Sequence, residues 1–102
     1  MELNEMYYMY LMANAHRTVI YTGKTTDLQR RVLEHKLKLS PKSFTARYNV
    51  NQLVHFEAFE TNEEASQREH QIKAGSRKKK IDLIERNNPD WKDFSDGWGS
   101  FG

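Results

Sequence analysis

Residues 6–23 read MYYMYLMANAHRTVIYTG, and this stretch decides the fold. Met6 to Ala13 is aromatic-rich and apolar on both faces, which predicts a strand with neither face fully open to water. Asn14 to Arg17 supplies a turn, and the β-branched run Thr18 to Thr22 predicts a second strand, so the two make a hairpin. Alternation places Tyr8, Tyr10 and Met12 on one face of the first strand, with Tyr7, Met9 and Leu11 on the other. Tyr21 in the partner strand can share the face of Tyr10. Gly23 reads as the strand exit.

Working outward, the period changes to that of a helix from Leu28 to about Leu39, with Leu28, Val32 and Leu39 on one stripe. Pro41 closes that helix, and Lys42 to Tyr48 suggests a short helical turn. Leu53 to Glu60 predicts a third strand whose more apolar face carries Val54, Phe56 and Ala58. Thr61-Asn62-Glu63-Glu64 has the form of a capping box ahead of a helix to about Ala74. Gly75 then ends it as a left-handed C-terminal glycine would. Ser76 starts a last helix that Asn87-Asn88-Pro89 stops. The order β-β-α-(α)-β-α-α gives an α+β domain, a three-stranded and mainly antiparallel sheet flanked by helices. Residues 1–91 are expected to form the domain and residues 92–102 a flexible tail.

The 102 residues suit one hydrophobic core, with 37% hydrophobic and 29% charged residues. No apolar run approaches the roughly 20 residues that span a bilayer. The start MELNEM has no basic n-region, so it does not read as a secretory signal. Cysteine is absent, which excludes disulfides, thiolate metal sites and a thiol nucleophile. A cytoplasmic location is the expectation. Net charge is only +2, but the basic residues cluster at Arg30, Arg31, Lys36 and Lys38 and again at Arg77 to Lys80, where they can neutralise phosphates.

Gly23-Lys24-Thr25 sits between a strand and a helix, as in a phosphate-binding P-loop. That loop needs a second glycine five positions earlier, where Thr18 stands, so the segment cannot wrap a triphosphate in the P-loop manner, while a single phosphate can still meet Lys24. Arg31 and His35, four apart, are neighbours on the first helix. Arg31 can hold a phosphate, and His35 can move a proton. Glu69 falls between Ala65 and Ile72 on the buried stripe of its helix. An ionised carboxylate there needs a partner, either a metal or Lys73 one turn on, and periodicity leaves the two even. Magnesium needs few carboxylates, so one Glu suffices. His55 and Glu57 share a strand face, but their spacing with His35 matches no closed zinc pattern.

Taken together these residues resemble the GIY-YIG nuclease family, and its small stand-alone bacterial members most of all. Tyr8-Met9-Tyr10 and Tyr21-Thr22-Gly23 stand where the family has its two tripeptides. Gly23 to Arg31 looks like the glycine-to-arginine segment, and Arg68-Glu69 followed by Gln71-Ile72-Lys73 like the metal-binding stretch. Ser76 to Lys80 and Asn88 to Trp91 are similar to features of the stand-alone subgroup. Two departures stand out: Tyr8 replaces the first glycine, and Thr22 the apolar centre of the second tripeptide.

The resemblance implies a metal-dependent endonuclease acting on nucleic acid, DNA ahead of RNA, as a monomer or weak dimer with no membrane partner. It implies that Tyr10 activates or orients water with help from Tyr21, that Arg31 stabilises charge on the phosphate, that His35 assists, and that Glu69 binds one divalent ion. Magnesium is the first expectation for that ion and manganese the second. Gly23, Lys24, Arg30, Lys78, Lys79 and Asn88 are the expected substrate contacts. The competing reading is a nucleic-acid-binding module that keeps the fold without cutting.

Overall fold

The computed structural model describes residues 5–98. Three strands, β1 (Tyr7–Ala13), β2 (Ile20–Thr25) and β3 (Gln52–Phe59), form an antiparallel sheet in the order β2-β1-β3. Four helices follow the expected order: α1 (Leu28–Lys36), α2 (Phe44–Arg47), α3 (Asn62–Ala74) and α4 (Arg77–Asn87). The central strand is the most apolar because helices cover both of its faces. Met9, Leu11 and Ala13 pack with Val54 and with Leu83 and Ile84 of α4, joined by Trp91. Tyr10 and Met12 pack on the opposite face with Leu28 and Val32 of α1, Val50 and Leu53.

Local chemistry sets the joints. In the β1–β2 turn, Asn14 Oδ1 accepts hydrogen bonds from the backbone of Thr18 and Val19, so a buried side chain closes the hairpin. Thr61 caps α3 by accepting from Glu64 N, the N-cap half of the expected capping box, while its hydroxyl donates to the Glu64 carboxylate that would otherwise return to the Thr61 backbone. Asp27, Ser43 and Ser76 cap the other helices in the same way.

Four local expectations are corrected. Strand β2 runs through Gly23 to Thr25 instead of ending at Thr22. Helix α1 stops at Lys36, where Leu37 caps it and Lys38 turns left-handed (φ 53°), so Leu39 is exposed and His35 takes the third place on the buried stripe. In β3, Leu11 pairs with His55 but Met12 pairs with Leu53, leaving Val54 as the extra residue of a β-bulge. The bulge breaks the alternation: Val54 faces the α4 side, whereas Phe56 stands opposite Tyr10 and is exposed. Gly75 is extended (φ −74°, ψ 162°), not left-handed, and the Lys80 ammonium donates to the Gly75 carbonyl at 2.8 Å.

Residues 92–98 of the segment expected as a flexible tail are tied to the body; the rest of that segment, 99–102, lies outside the described residues. Phe94 N donates to Leu53 O (2.8 Å), and Asp93 Oδ1 accepts from Leu53 N (3.0 Å) and from Ser95. The other Asp93 oxygen accepts from Lys36 Nζ of α1 at 2.6 Å. Burial by itself would raise the Asp93 carboxyl, but the hydrogen bonds from Lys36, Ser95 and Leu53 outweigh it and hold the group below its ordinary value. The carboxylate therefore contributes stability above its ordinary value of 3.8, and loses it as pH falls through the lower folded value. Asp93→Ala should cost about 1–3 kcal/mol at neutral pH in urea unfolding. Its deficit relative to the parent should shrink below pH 3.8; a gap independent of pH would contradict the assignment.

Candidate active site

Tyr10 is carried into the interior by β1, and its buried phenol reaches across the neighbouring strand. The room is made by Gly23, its register partner on β2. A Cβ on that glycine would lie 2.5 Å from Tyr10 Oη and 2.8 Å from Cε1, closer than atoms can pack. Gly23 is thus required for space, and its place is against the Tyr10 ring.

On the far side of Gly23, Tyr10 Oη is hydrogen-bonded to His35 Nε2 at 3.0 Å, and His35 Nδ1 to Thr45 Oγ1 at 2.8 Å. All three residues are buried. Thr45 is in turn 3.3 Å from Ser43 Oγ. Tyr21 closes the group, with its ring 6.1 Å from Tyr10 and 5.4 Å from His35. Arg31, one turn before His35, lies beside Tyr10 and donates to Glu34 at 3.0 Å. Arg31, Glu34, His35, Ser43 and Thr45 help line a cavity of about 160 Å³.

Electrostatics follow from this packing. Burial, and then the neighbouring Tyr21, push the Tyr10 phenol above its ordinary value, while Arg31 pulls the other way. Burial and the Arg31 charge push His35 down to about 4, so its imidazole is neutral at pH 7. A neutral imidazole held by Thr45 on one nitrogen leaves the other to exchange a proton with Tyr10.

The remaining expected residues lie elsewhere. Glu69 is on α3, with a side chain only 15% exposed. Its oxygens have long ion contacts, Lys73 Nζ at 3.7 Å and His70 Nε2 at 3.9 Å, and no hydrogen bond among the described residues joins it to the Tyr10 cluster. Lys24 donates to Asn62 Oδ1 (2.9 Å) and Ser66 Oγ (2.7 Å), which precede Glu69 on the same stripe of α3. Arg30 is exposed and paired with Glu34. Lys78 and Lys79 are exposed on α4, while their neighbour Arg77 donates to the Arg17 and Thr18 carbonyls. Asn88 is buried; its amide donates to Val54 O and Lys92 O, and its oxygen accepts from Lys92 N. Its side chain ties α4 to β3.

His55 bonds Glu57 at 2.7 Å, and Arg68 grips the same carboxylate at 2.9 and 3.2 Å, which makes a salt link between β3 and α3. No group of three potential His, Asp or Glu ligands occurs among the described residues. Thr45 and Ser43 are the site residues that sequence reasoning missed. Only the N-cap pattern of Ser43 before a short helix could have pointed to them.

The GIY-YIG catalytic domain family matches this chain over residues 6–82. A UPF0213 protein from Haloquadratum walsbyi is 43% identical over 81% of this chain and 91% of its own length. Another from Bacillus velezensis is 40% identical over 83% of each chain. The solution NMR structure of a UPF0213 protein from Bacillus halodurans superposes with a TM-score of 0.55 at 30% identity, covering 86% of this chain and 92% of that one. It has the same α+β arrangement. No helix among the described residues is long and apolar enough to cross a membrane.

Histidine NMR should place the His35 titration near pH 4, well below the ordinary 6.5. Between those values the unfolded chain binds the extra proton, so this contribution to stability is whole above 6.5 and fades as pH falls toward 4. A midpoint near 6.5 would show that the imidazole is not held as described. Gly23→Ala should destabilise the domain by about 1–3 kcal/mol and displace the Tyr10 ring, read as loss of near-ultraviolet tyrosine dichroism.

Proposed function

The chain belongs to the GIY-YIG family, among its UPF0213 members, and from that premise we propose that it is a divalent-metal-dependent endonuclease that hydrolyses phosphodiester bonds in nucleic acid. The observation that carries the reading is the buried hydrogen bond from Tyr10 Oη to His35 Nε2, with the Arg31 guanidinium alongside. Arg31, although paired with Glu34 at 3.0 Å, sets a cation beside the buried phenol and the neutral imidazole.

The phenol is protonated at rest, so Tyr10 acts as a relay and not as a standing base. Tyr10 accepts the proton of the attacking water while passing its own to His35 Nε2. With its proton on Nδ1, His35 donates to Thr45 and presents a free lone pair to the phenol. Its low resting basicity comes first from burial and then from Arg31. A bound phosphodiester brings negative charge beside Arg31, offsets that second cause, and moves His35 back toward proton acceptance. Arg31 stabilises the charge that grows on the phosphoryl oxygens. Lys24, whose ammonium donates to Asn62 and Ser66, two turns and one turn before Glu69, is a further phosphate contact in this reading.

Glu69 fits a single divalent ion: it is a largely shielded carboxylate whose ion contacts among the described residues, to His70 and Lys73, are both long. Magnesium, which takes one or two carboxylates and completes its shell with water and phosphate oxygens, suits it better than zinc. An ion held by Glu69 would supply charge neutralisation for phosphodiester hydrolysis. Asn88 is left out of the substrate contacts because its amide is engaged by backbone.

A cleavage assay on DNA and RNA, single-stranded, duplex and branched, with magnesium, manganese or EDTA, tests the reading. Cutting should need the metal and vanish in Glu69→Ala. Arg31→Ala should lower kcat by about 10²–10³-fold. Retained binding with no cutting of any substrate would favour the binding module.

A further inference from the structure

The aromatic row that begins at Tyr10 does not end at Tyr21. Phe44 of α2 lies 6.3 Å from the Tyr21 ring, and Tyr48, the residue that caps α2, lies 4.9 Å from Phe44. The Arg47 guanidinium sits 5.7 Å from the centre of the Tyr48 ring. The row runs from interior to surface: Tyr10 is buried, Tyr21 half-buried, and the two outer rings, Phe44 and Tyr48, are 49% and 46% exposed. The buried face of α2 is made by Thr45 and Ala46, so the two outer rings are not needed for the core.

A single exposed apolar side chain is ordinary and asks for no explanation. Two adjoining rings continuous with the reactive phenol, and carrying a cation on the outer one, are a different matter. Their flat faces match the flat faces of nucleobases, and every base has such a face. In a duplex those faces are already stacked on one another, so only unpaired bases can use the platform. The groove between α3 and α4, lined by Arg68, Lys79, Lys80 and Arg86, offers charge without rings, and Arg68 and Lys80 already have protein partners.

We propose that Phe44 and Tyr48, together with Arg47, form a base-stacking platform for unpaired nucleotides that flank the phosphate at Tyr10 and Arg31. The preferred substrate is then a single strand, or the single-stranded part of a larger nucleic acid. The proposal rests on the nuclease reading of the Tyr10 site. Arg47, its guanidinium 5.7 Å from the Tyr48 ring centre, neutralises a phosphate beside the stacked base.

Binding in EDTA, followed by fluorescence anisotropy, tests this without cleavage. The probes are a labelled single strand as DNA and as RNA, an abasic strand of equal length, and a blunt duplex. The proteins are the parent, Phe44→Ala/Tyr48→Ala, Phe44→Leu/Tyr48→Leu and Phe44→Tyr/Tyr48→Phe, each checked by thermal melting. The alanine and leucine pairs should weaken single-strand binding about tenfold or more. Both should bind the abasic strand and the duplex as the parent does, and the exchanged aromatic pair should bind every probe normally. Single-strand affinity within about twofold of the parent in the alanine pair, or restored in the leucine pair, would overturn the proposal. Equal weakening on the duplex and abasic strand would do so as well. If the parent cuts nucleic acid and the alanine pair binds single strands normally, this proposal fails and the nuclease reading stands. If the parent shows the stacking pattern but never cuts, the nuclease reading fails alone.

Discussion

A hydroxyl taken into the interior of a protein must find a partner, and much of the site is arranged around that need for Tyr10. The central strand leaves no other direction for the side chain than the α1 face, because Met9 and Leu11 already fill the α4 face. For the phenol to reach a partner there, the adjacent position on β2 must have no side chain, and Gly23 meets that condition. The partner must be polar yet lie on the buried stripe of α1, which is where His35 falls, seven residues after Leu28. The second nitrogen of that imidazole then needs its own partner, and Thr45 fills the place from a helix of only four residues. The short helix is thus as much a part of the site as the tripeptides are.

The departure of the first tripeptide from the family pattern follows from the same geometry. Tyr8 replaces a glycine two residues before Tyr10, on the same face, but its register partners are Thr25 and Ala58. No ring crosses the sheet there, so a large side chain is accommodated, half-buried against the Leu28 and Val32 cluster. The steric demand of the phenol falls on Gly23, not on position 8. Thr22, the other departure, is buried on β2 opposite Leu11 and away from the Tyr10 ring.

Element order, strand pairing on the hairpin and the helix N-caps were legible because they depend on local chemistry: periodicity, β-branching and Ser, Thr or Asp ahead of a helix. What escaped reading depends on residues far apart in the chain. The bulge at Val54 is visible only from the pairing of β3 with β1, and it reassigns Phe56 from core to surface. The early stop of α1 cannot be read from Leu39, since an exposed leucine and a buried one look alike in sequence. Gly75 has the composition of a left-handed cap, but Lys80 satisfies the helix end instead. Of the site, Tyr10, Tyr21, Arg31 and His35 were legible and are brought together. Thr45 was not, because a buried threonine in a short helix carries no pattern of its own. Glu69 was legible as a shielded carboxylate on α3.

The contacts of Asp93 and Phe94 have a meaning beyond stability. β3 is an outer strand of the sheet, and an outer strand offers unpaired backbone groups to any chain that can lie alongside. At Leu53 both groups are occupied, the N–H by the Asp93 carboxylate and the carbonyl by the Phe94 amide. Asp93 also pairs with Lys36 and so leaves a charged pair at that border. Asp93 and Phe94 therefore work as a stopper, closing the Leu53 end of β3 to the addition of another strand.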